Sequence, residues 1–265
     1  MNTTAISASA HTVASREASR SIYVFMAILF IIVAVTGFAP RSIAIVTGER
    51  AVPPLIVHFH AAAMSSWLLL LLAQTTLIAR GRPDIHRKLG VASFVLGPAM
   101  FLLMSALVMR GFLQLANPAT QPPVEVLGNS VAFETFIMAR AAILYGLFFA
   151  WAIAVRRKAP ETHKRMLILA TFVVIDAAIA RIQWLPGAFL RDGGGQGEIL
   201  RGYDLTHLYQ LLLLAPVLLY ELFRFGRVHW AYVLGIGLFL ASALGAHFAW
   251  NSLAWARMTA GWFGA

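Results

Sequence analysis

The stretch Leu55–Ala79, LIVHFHAAAMSSWLLLLLAQTTLIA, decides the fold. It contains no Asp, Glu, Lys or Arg. As a helix it would reach roughly 37 Å, more than the hydrocarbon core of a bilayer, about 30 Å. Pro53-Pro54 precede it and Gly81-Arg82-Pro83 follow it, which are ordinary helix boundaries. Six further runs of comparable character occupy 21–39, 89–110, 131–155, 166–186, 205–223 and 229–254. Pro118, Pro122, Pro123 and the Gly193-Gly194-Gly195 triplet punctuate the gaps, and Gly97-Pro98 predicts a kink within the third span. The expected fold is therefore all-α: a transmembrane bundle of about seven spans. It would have a polar tail over 1–20, a membrane domain over 21–256 and a short tail over 257–265. A cleaved signal peptide is the competing reading of the first run. The run is long enough to span, and no small-x-small site follows it.

Composition agrees. Of 265 residues, 60% are hydrophobic and 12% charged. Soluble domains carry about 25% charged residues. The absence of cysteine excludes disulfides, thiolate ligands, iron–sulfur clusters and covalently attached haem. The net charge of +10 would suit nucleic acid if it were clustered on one surface. It is instead sorted by loop. Thirteen Lys or Arg fall on the side of Arg16, Arg20, Arg80, Arg82, Arg87, Lys88, Arg156, Arg157, Lys158, Lys164, Arg165, Arg224 and Arg227. Six fall opposite, at Arg41, Arg50, Arg110, Arg191, Arg201 and Arg257. The positive-inside rule then places the amino terminus in the cytoplasm and the carboxyl terminus outside. The partner so implied is lipid, not nucleic acid.

The three expected cytoplasmic hairpins resemble one another. They read Arg80-Gly-Arg-Pro-Asp-Ile-His86, Arg157-Lys-Ala-Pro-Glu-Thr-His163 and Arg224-Phe-Gly-Arg-Val-His229. The repeat suggests a bundle built from helical hairpins. Headgroup contacts and helix capping account for such residues in structural terms. Alternatively, His86 and His163 face each other and bind a group.

Ionisable residues inside a span cost roughly 2.5–3.5 kcal/mol each on insertion scales, so they turn toward protein. Measured from the cytoplasmic ends at about 1.5 Å per residue, Arg140 lies roughly 24 Å deep, Asp176 roughly 20 Å and Arg181 roughly 27 Å. His207 and His247 both come to roughly 26 Å, His60 to roughly 30 Å and Glu134 to roughly 33 Å. Five helices thus contribute to one layer in the outer half. Arg140 and Asp176 are the candidate ion pair, and Arg181 is placed to serve Glu134 or Asp204. Asp204 and His207, three apart, share a helix face. His58 and His60 point about 200° apart on a helix and cannot chelate together unless the turn is unwound, which Pro53-Pro54 leaves open. His60 is the inward one, with Trp67 and Gln74 following at seven-residue steps.

The run His58-Phe-His60 … Trp67 … Gln74 … His86-Arg-Lys-Leu-Gly90, with His163-Lys-Arg-Met … Ala180-Arg181, resembles an uncharacterised family of bacterial multi-pass inner-membrane proteins. Histidines near both membrane faces more loosely resemble two-haem b-type cytochromes of the cytochrome b561 kind, although the fourth helix has no histidine. That resemblance implies haem b and electron transfer, with a quinone or another redox protein as partner. His60 with His207 or His247 would ligate an outer haem, Arg140 or Arg181 would meet its propionates, and His86 with His163 would ligate an inner one. Two other readings stand beside it. One is a proton-coupled or small-solute permease that uses the Arg–Asp–His layer. The other is a membrane-embedded enzyme acting on lipid, with Zn or Fe held among His58, His60, Glu134, Asp204, His207 and His247.

Overall fold

The structure, a computed structural model, describes the backbone of residues 3–115, 124–187 and 196–250, and side chains over 21–111, 136–187 and 200–247. Among these residues the regular structure is entirely helical, joined by short turns. Its helices are α1 (Thr3–Val46), α2 (Leu55–Ala79), α3 (Pro83–Gly90), α4 (Ser93–Leu115), α5 (Val124–Val155), α6 (Pro160–Val174), α7 (Asp176–Ile179), α8 (Gln196–Phe225) and α9 (Trp230–Trp250). Six segments, within α1, α2, α4, α5, α8 and α9, are long and apolar enough to cross a membrane. The chain is a multi-span helical membrane protein. Exposed Ile32, Leu69, Leu102, Ile143, Leu212 and Leu244 mark the surface that lipid would cover.

The expected polar tail is drawn into α1, which begins at Thr3. The tail at 257–265 lies outside the described residues. In the first hairpin, the short helix α3 starts with Pro83 at its first turn, where a missing N–H does no harm, and Arg87 and Lys88 sit in its last turn. Pro98 lies inside α4 without ending it. α2 packs on α4, and α5 on α6. In the third hairpin, by contrast, α9 packs chiefly on α5 and α6, while α8 lies against α1 and α7.

The remaining run, expected to span 166–186, is broken. α6 ends at Val174, and α7 starts at Asp176 after Ile175. The run nevertheless traverses the bundle. Lys164, at one end, sits 4.8 Å over the Tyr23 ring, and Arg181, at the other, sits 5.1 Å over the Phe38 ring. Those two rings stand roughly 22 Å apart along α1. α6 is the central helix. Ten of its fifteen residues are buried, from Thr162 to Val174, so it is apolar on every side, as an interior helix must be.

Neighbours answer the break. A β-branched run, Val173-Val174-Ile175, leads into it. The Gln210 amide of α8 donates to the Phe172 carbonyl (2.5 Å), and the Asp176 carboxylate accepts from the Ala177 N–H (2.6 Å). Trp67 of α2 donates its indole N–H to the Thr171 hydroxyl (3.0 Å). The same indole meets Tyr145 and Phe149 edge-on, at 5.6 and 5.7 Å between ring centroids. Gly37 of α1 lies directly against the Ala178 backbone, where a Cβ would collide with the carbonyl group. This contact fixes α7 to α1. Gly37→Ala should therefore lower the melting temperature of the purified protein, at a cost of about 1–3 kcal/mol. Gly237→Ala in α9, with nothing within 4 Å of the added carbon, should be neutral or slightly stabilising. Equal melting temperatures for the two variants would show that the α1–α7 contact is not close.

Candidate functional site

Beside the break lies a buried polar group drawn from three elements. Arg140 (α5) is 5% exposed, Tyr203 and His207 (α8) 2% and 6%, Asp176 (α7) 9%, and Gln210 (α8) fully buried. Tyr203, His207 and Gln210 follow at four- and three-residue steps and so share one face of α8. Arg140 donates from Nη1 to the Tyr203 hydroxyl (2.5 Å). Its guanidinium carbon stands 4.9 Å from the Phe239 ring and 5.8 Å from the Tyr203 ring. His207 is held between Tyr203 and Phe239, with ring centroids 4.0 and 5.1 Å away. Its Nδ1 lies 2.8 Å from the Tyr203 carbonyl and must carry the proton there, so the neutral ring presents a lone pair at Nε2.

Four atoms of this group are buried with no hydrogen-bond partner: Nε and Nη2 of Arg140, Nε2 of His207 and Oε1 of Gln210. Such atoms ordinarily cost about 1–3 kcal/mol each when left unpaired. Asp176 lies within electrostatic reach of Arg140 and Arg181, but its direct hydrogen bond goes to Ala177. Arg181 donates to the Ala177 carbonyl (2.5 Å) and is in turn within reach of His60. His60 is half-buried and His58 exposed, which fits their opposite faces on α2. His247 meets Asp204 at 2.6 Å, with His207 within reach. The structure therefore links His60, Arg181, Asp176, Arg140, His207, His247 and Asp204 into a continuous chain of neighbours. The Glu134 side chain lies outside the described residues. Among the described residues no three His, Asp or Glu side chains converge as a metal ion would require.

The inner histidines form a smaller arrangement. With its amide nitrogen turned toward His86, Gln74 donates to the His86 carbonyl (3.1 Å) and to Nδ1 (2.5 Å), while its oxygen accepts from the Gly90 N–H (2.8 Å). His163 places Nδ1 2.8 Å from the Ala152 carbonyl. The two rings lie within electrostatic reach of each other. Burial pushes both imidazoles below their ordinary value. The contact with the Ala152 carbonyl acts the other way on His163, and neighbouring Arg156 (for His163) and Arg87 (for His86) add to the lowering.

A third cluster closes the same end of the bundle. Arg165 is 3% exposed and Glu221 1%. Arg165 donates from Nε to Glu221 (2.5 Å) and from Nη1 to both the backbone and the side chain of Glu161 (2.7 Å each). Glu221 also accepts from the His229 N–H (2.8 Å), and Lys164 donates to Glu161 (2.9 Å). Burial pushes the Glu161 carboxyl up, but the hydrogen bonds from Arg165 and Lys164 outweigh this and hold it below the ordinary value. Sequence reasoning counted Arg165 only as a surface charge and passed over Glu221, Tyr203 and Gln210. An acid inside the apolar run 205–223, and polar residues one turn either side of His207, were the available signals.

No family model, curated protein or solved structure matches this chain. Its chemistry is read from the geometry alone.

The inner groups make stability depend on pH in one direction. Lowered imidazoles stabilise the fold above their ordinary value of 6.5, and this stabilisation is lost as pH falls from there through the lower folded values. The lowered Glu161 carboxyl adds stabilisation above its ordinary 4.5, lost as pH falls through its own lower folded value. The melting temperature should fall on acidification below about pH 7. The double variant His86→Gln/His163→Gln should show a shallower fall between pH 6.5 and 5. An unchanged slope in that variant would mean that these rings are not the titrating groups.

Proposed function

We propose that the protein is a permease that moves a small solute together with protons, using the layer around Arg140, His207 and Asp176. The observation that carries this reading is the set of unpartnered donors and acceptors beside a broken, largely interior helix. Interrupted helices at mid-membrane depth are a recurring way to offer polar groups to a solute where continuous helices cannot. Buried groups left half-satisfied there are costly, and a ligand that completes them removes the cost. The His207 lone pair and the Asp176 carboxylate supply proton acceptors. The Arg165–Glu221–Glu161 network lies at the opposite end of α6, where it would bar passage on the side we assign to the cytoplasm. In this orientation the amino terminus is inside and the membrane is a bacterial inner membrane.

The haem reading draws less on this arrangement. Asp204 holds Nε2 of His247, which takes that imidazole out of an outer axial pair, while His207 keeps Nε2 unpartnered between the Tyr203 and Phe239 rings. At the inner pair His163 has the right atom free. His86, however, accepts from Gln74 at Nδ1 and so carries its proton at Nε2, the atom that would ligate.

Reconstitution into vesicles loaded with a pH-sensitive dye tests the proposal. An inward gradient of some member of a panel of carboxylates, amino acids, sugars and amines should acidify the lumen. Asp176→Asn should remove most of that flux while the protein remains monodisperse. A panel with no active member, or fluxes that survive both Asp176→Asn and His207→Gln, would remove the layer from any transport path.

A further inference from the structure

The buried, unpartnered edge of Arg140 narrows the solute class, given the reading of this layer as a solute site. A guanidinium has two faces for a planar oxyanion. Here Nη1 is spent on Tyr203, and the atoms left over are Nε and Nη2. These two carry parallel, coplanar N–H bonds, the side-on fork that matches the two oxygens of a carboxylate. The Phe239 ring lies 4.9 Å from the guanidinium carbon and the Tyr203 ring 5.8 Å. Asp176, the acid in reach, is hydrogen-bonded to Ala177 and also faces Arg181. Arg140 is therefore a buried cation whose bidentate edge has no hydrogen-bond acceptor among the described residues, an arrangement whose desolvation cost favours an anion there.

The remaining unpartnered atoms are of the opposite kind. Nε2 of His207 and Oε1 of Gln210 are acceptors, because Nδ1 of His207 and the amide nitrogen of Gln210 are already donating, to the carbonyls of Tyr203 and Phe172. They stand three residues apart on one face of α8. Phe239 joins them to the arginine. Its ring touches the guanidinium, lies 5.1 Å from the His207 ring, and lies 4.8 Å from the ring of Phe172, whose carbonyl holds Gln210. Two donors beside two acceptors describe a ligand with a carboxylate at one end and a hydrogen-bond donor next to it.

We propose that this site binds a small monocarboxylate bearing a neighbouring hydroxyl, with the carboxylate on the Nε/Nη2 edge of Arg140 and the hydroxyl donating to His207 or Gln210. A simple carboxylate would leave the acceptors unpaired, and a neutral hydroxy-amide would leave the arginine without a counter-charge.

Titration calorimetry on the purified full-length protein in detergent tests this with four probes: lactate, glycolate, propionate and lactamide. Lactate and glycolate should bind saturably, propionate about tenfold more weakly for want of a donor, and lactamide not measurably. Arg140→Lys keeps the charge but loses the fork, and should weaken lactate binding about 30-fold or more. His207→Phe should erase the preference of lactate over propionate while leaving propionate affinity in place, which a merely structural role for His207 would not do. Size-exclusion profiles identify a variant that fails to fold, and the probe series on the unmodified protein decides the matter even then. Lactamide binding as well as lactate, or a folded Arg140→Lys protein binding lactate normally, would overturn the assignment. Saturable lactate binding without uptake into vesicles would uphold the site and sink the permease reading. Proton-coupled uptake of a non-carboxylate that lactate does not compete with would uphold the permease and sink this class of solute.

Discussion

A bilayer offers the backbone no water, so every peptide group within it must find a partner in the protein. α6 ends in the interior of the bundle, at Val174, and the rest of the bundle is arranged around this fact. A helix that stops in the interior leaves carbonyls behind it and N–H groups ahead of it. Gln210 serves the first kind through Phe172, and Asp176 the second through Ala177. Trp67 braces the preceding turn through Thr171, and Gly37 lets α1 close on the segment beyond. Residues of α1, α2 and α8 are thereby committed to one locus. The polar layer gathers at that locus because the break already requires polar neighbours there.

The charge distribution reads differently once burial is known. Arg165 counts in the sequence among the basic residues of the hairpin, yet it is sealed in the interior and matched by Glu161 and Glu221. Removing it from the surface tally leaves twelve basic residues against six, by subtracting one from thirteen, so the asymmetry behind the expected orientation persists.

Length and apolarity were legible in the sequence because lipid imposes them. Each of the six long helices coincides with a run free of interior charge or nearly so. The interruption at Ile175 was not legible, since no Gly or Pro stands between Met166 and Trp184. It is a tertiary event, made affordable by a glutamine thirty-five residues away in sequence, at position 210. Of the outer layer expected from depth, Arg140, Asp176 and His207 are buried, whereas the side chain of Asp204 is 55% exposed and that of His247 35%. Depth did not give their pairing. Arg140 and Asp176 stand close, as depth implied, but Arg140 bonds a tyrosine hydroxyl and Asp176 a backbone N–H. Hydroxyls and amides such as Tyr203 and Gln210 carry no charge signal, and only helical spacing from His207 exposes them.

Two buried arginines make the decisive contrast. Arg165 has acceptors for Nε and for Nη1, from two carboxylates and a carbonyl, and one of those carboxylates is itself tied to the His229 backbone. Such a network locks elements together, because removing one partner strands a charge at a cost of about 3–5 kcal/mol. Arg140, equally buried, has one hydroxyl on Nη1 and nothing on the edge best suited to gripping an anion. If its role were cohesion, the nearby Asp176 would be the natural partner, and a direct pair would remove the cost. Asp176 is instead turned to the backbone of the break. The same physics that makes the inner arginine a rivet leaves the outer one waiting for a partner from outside the chain.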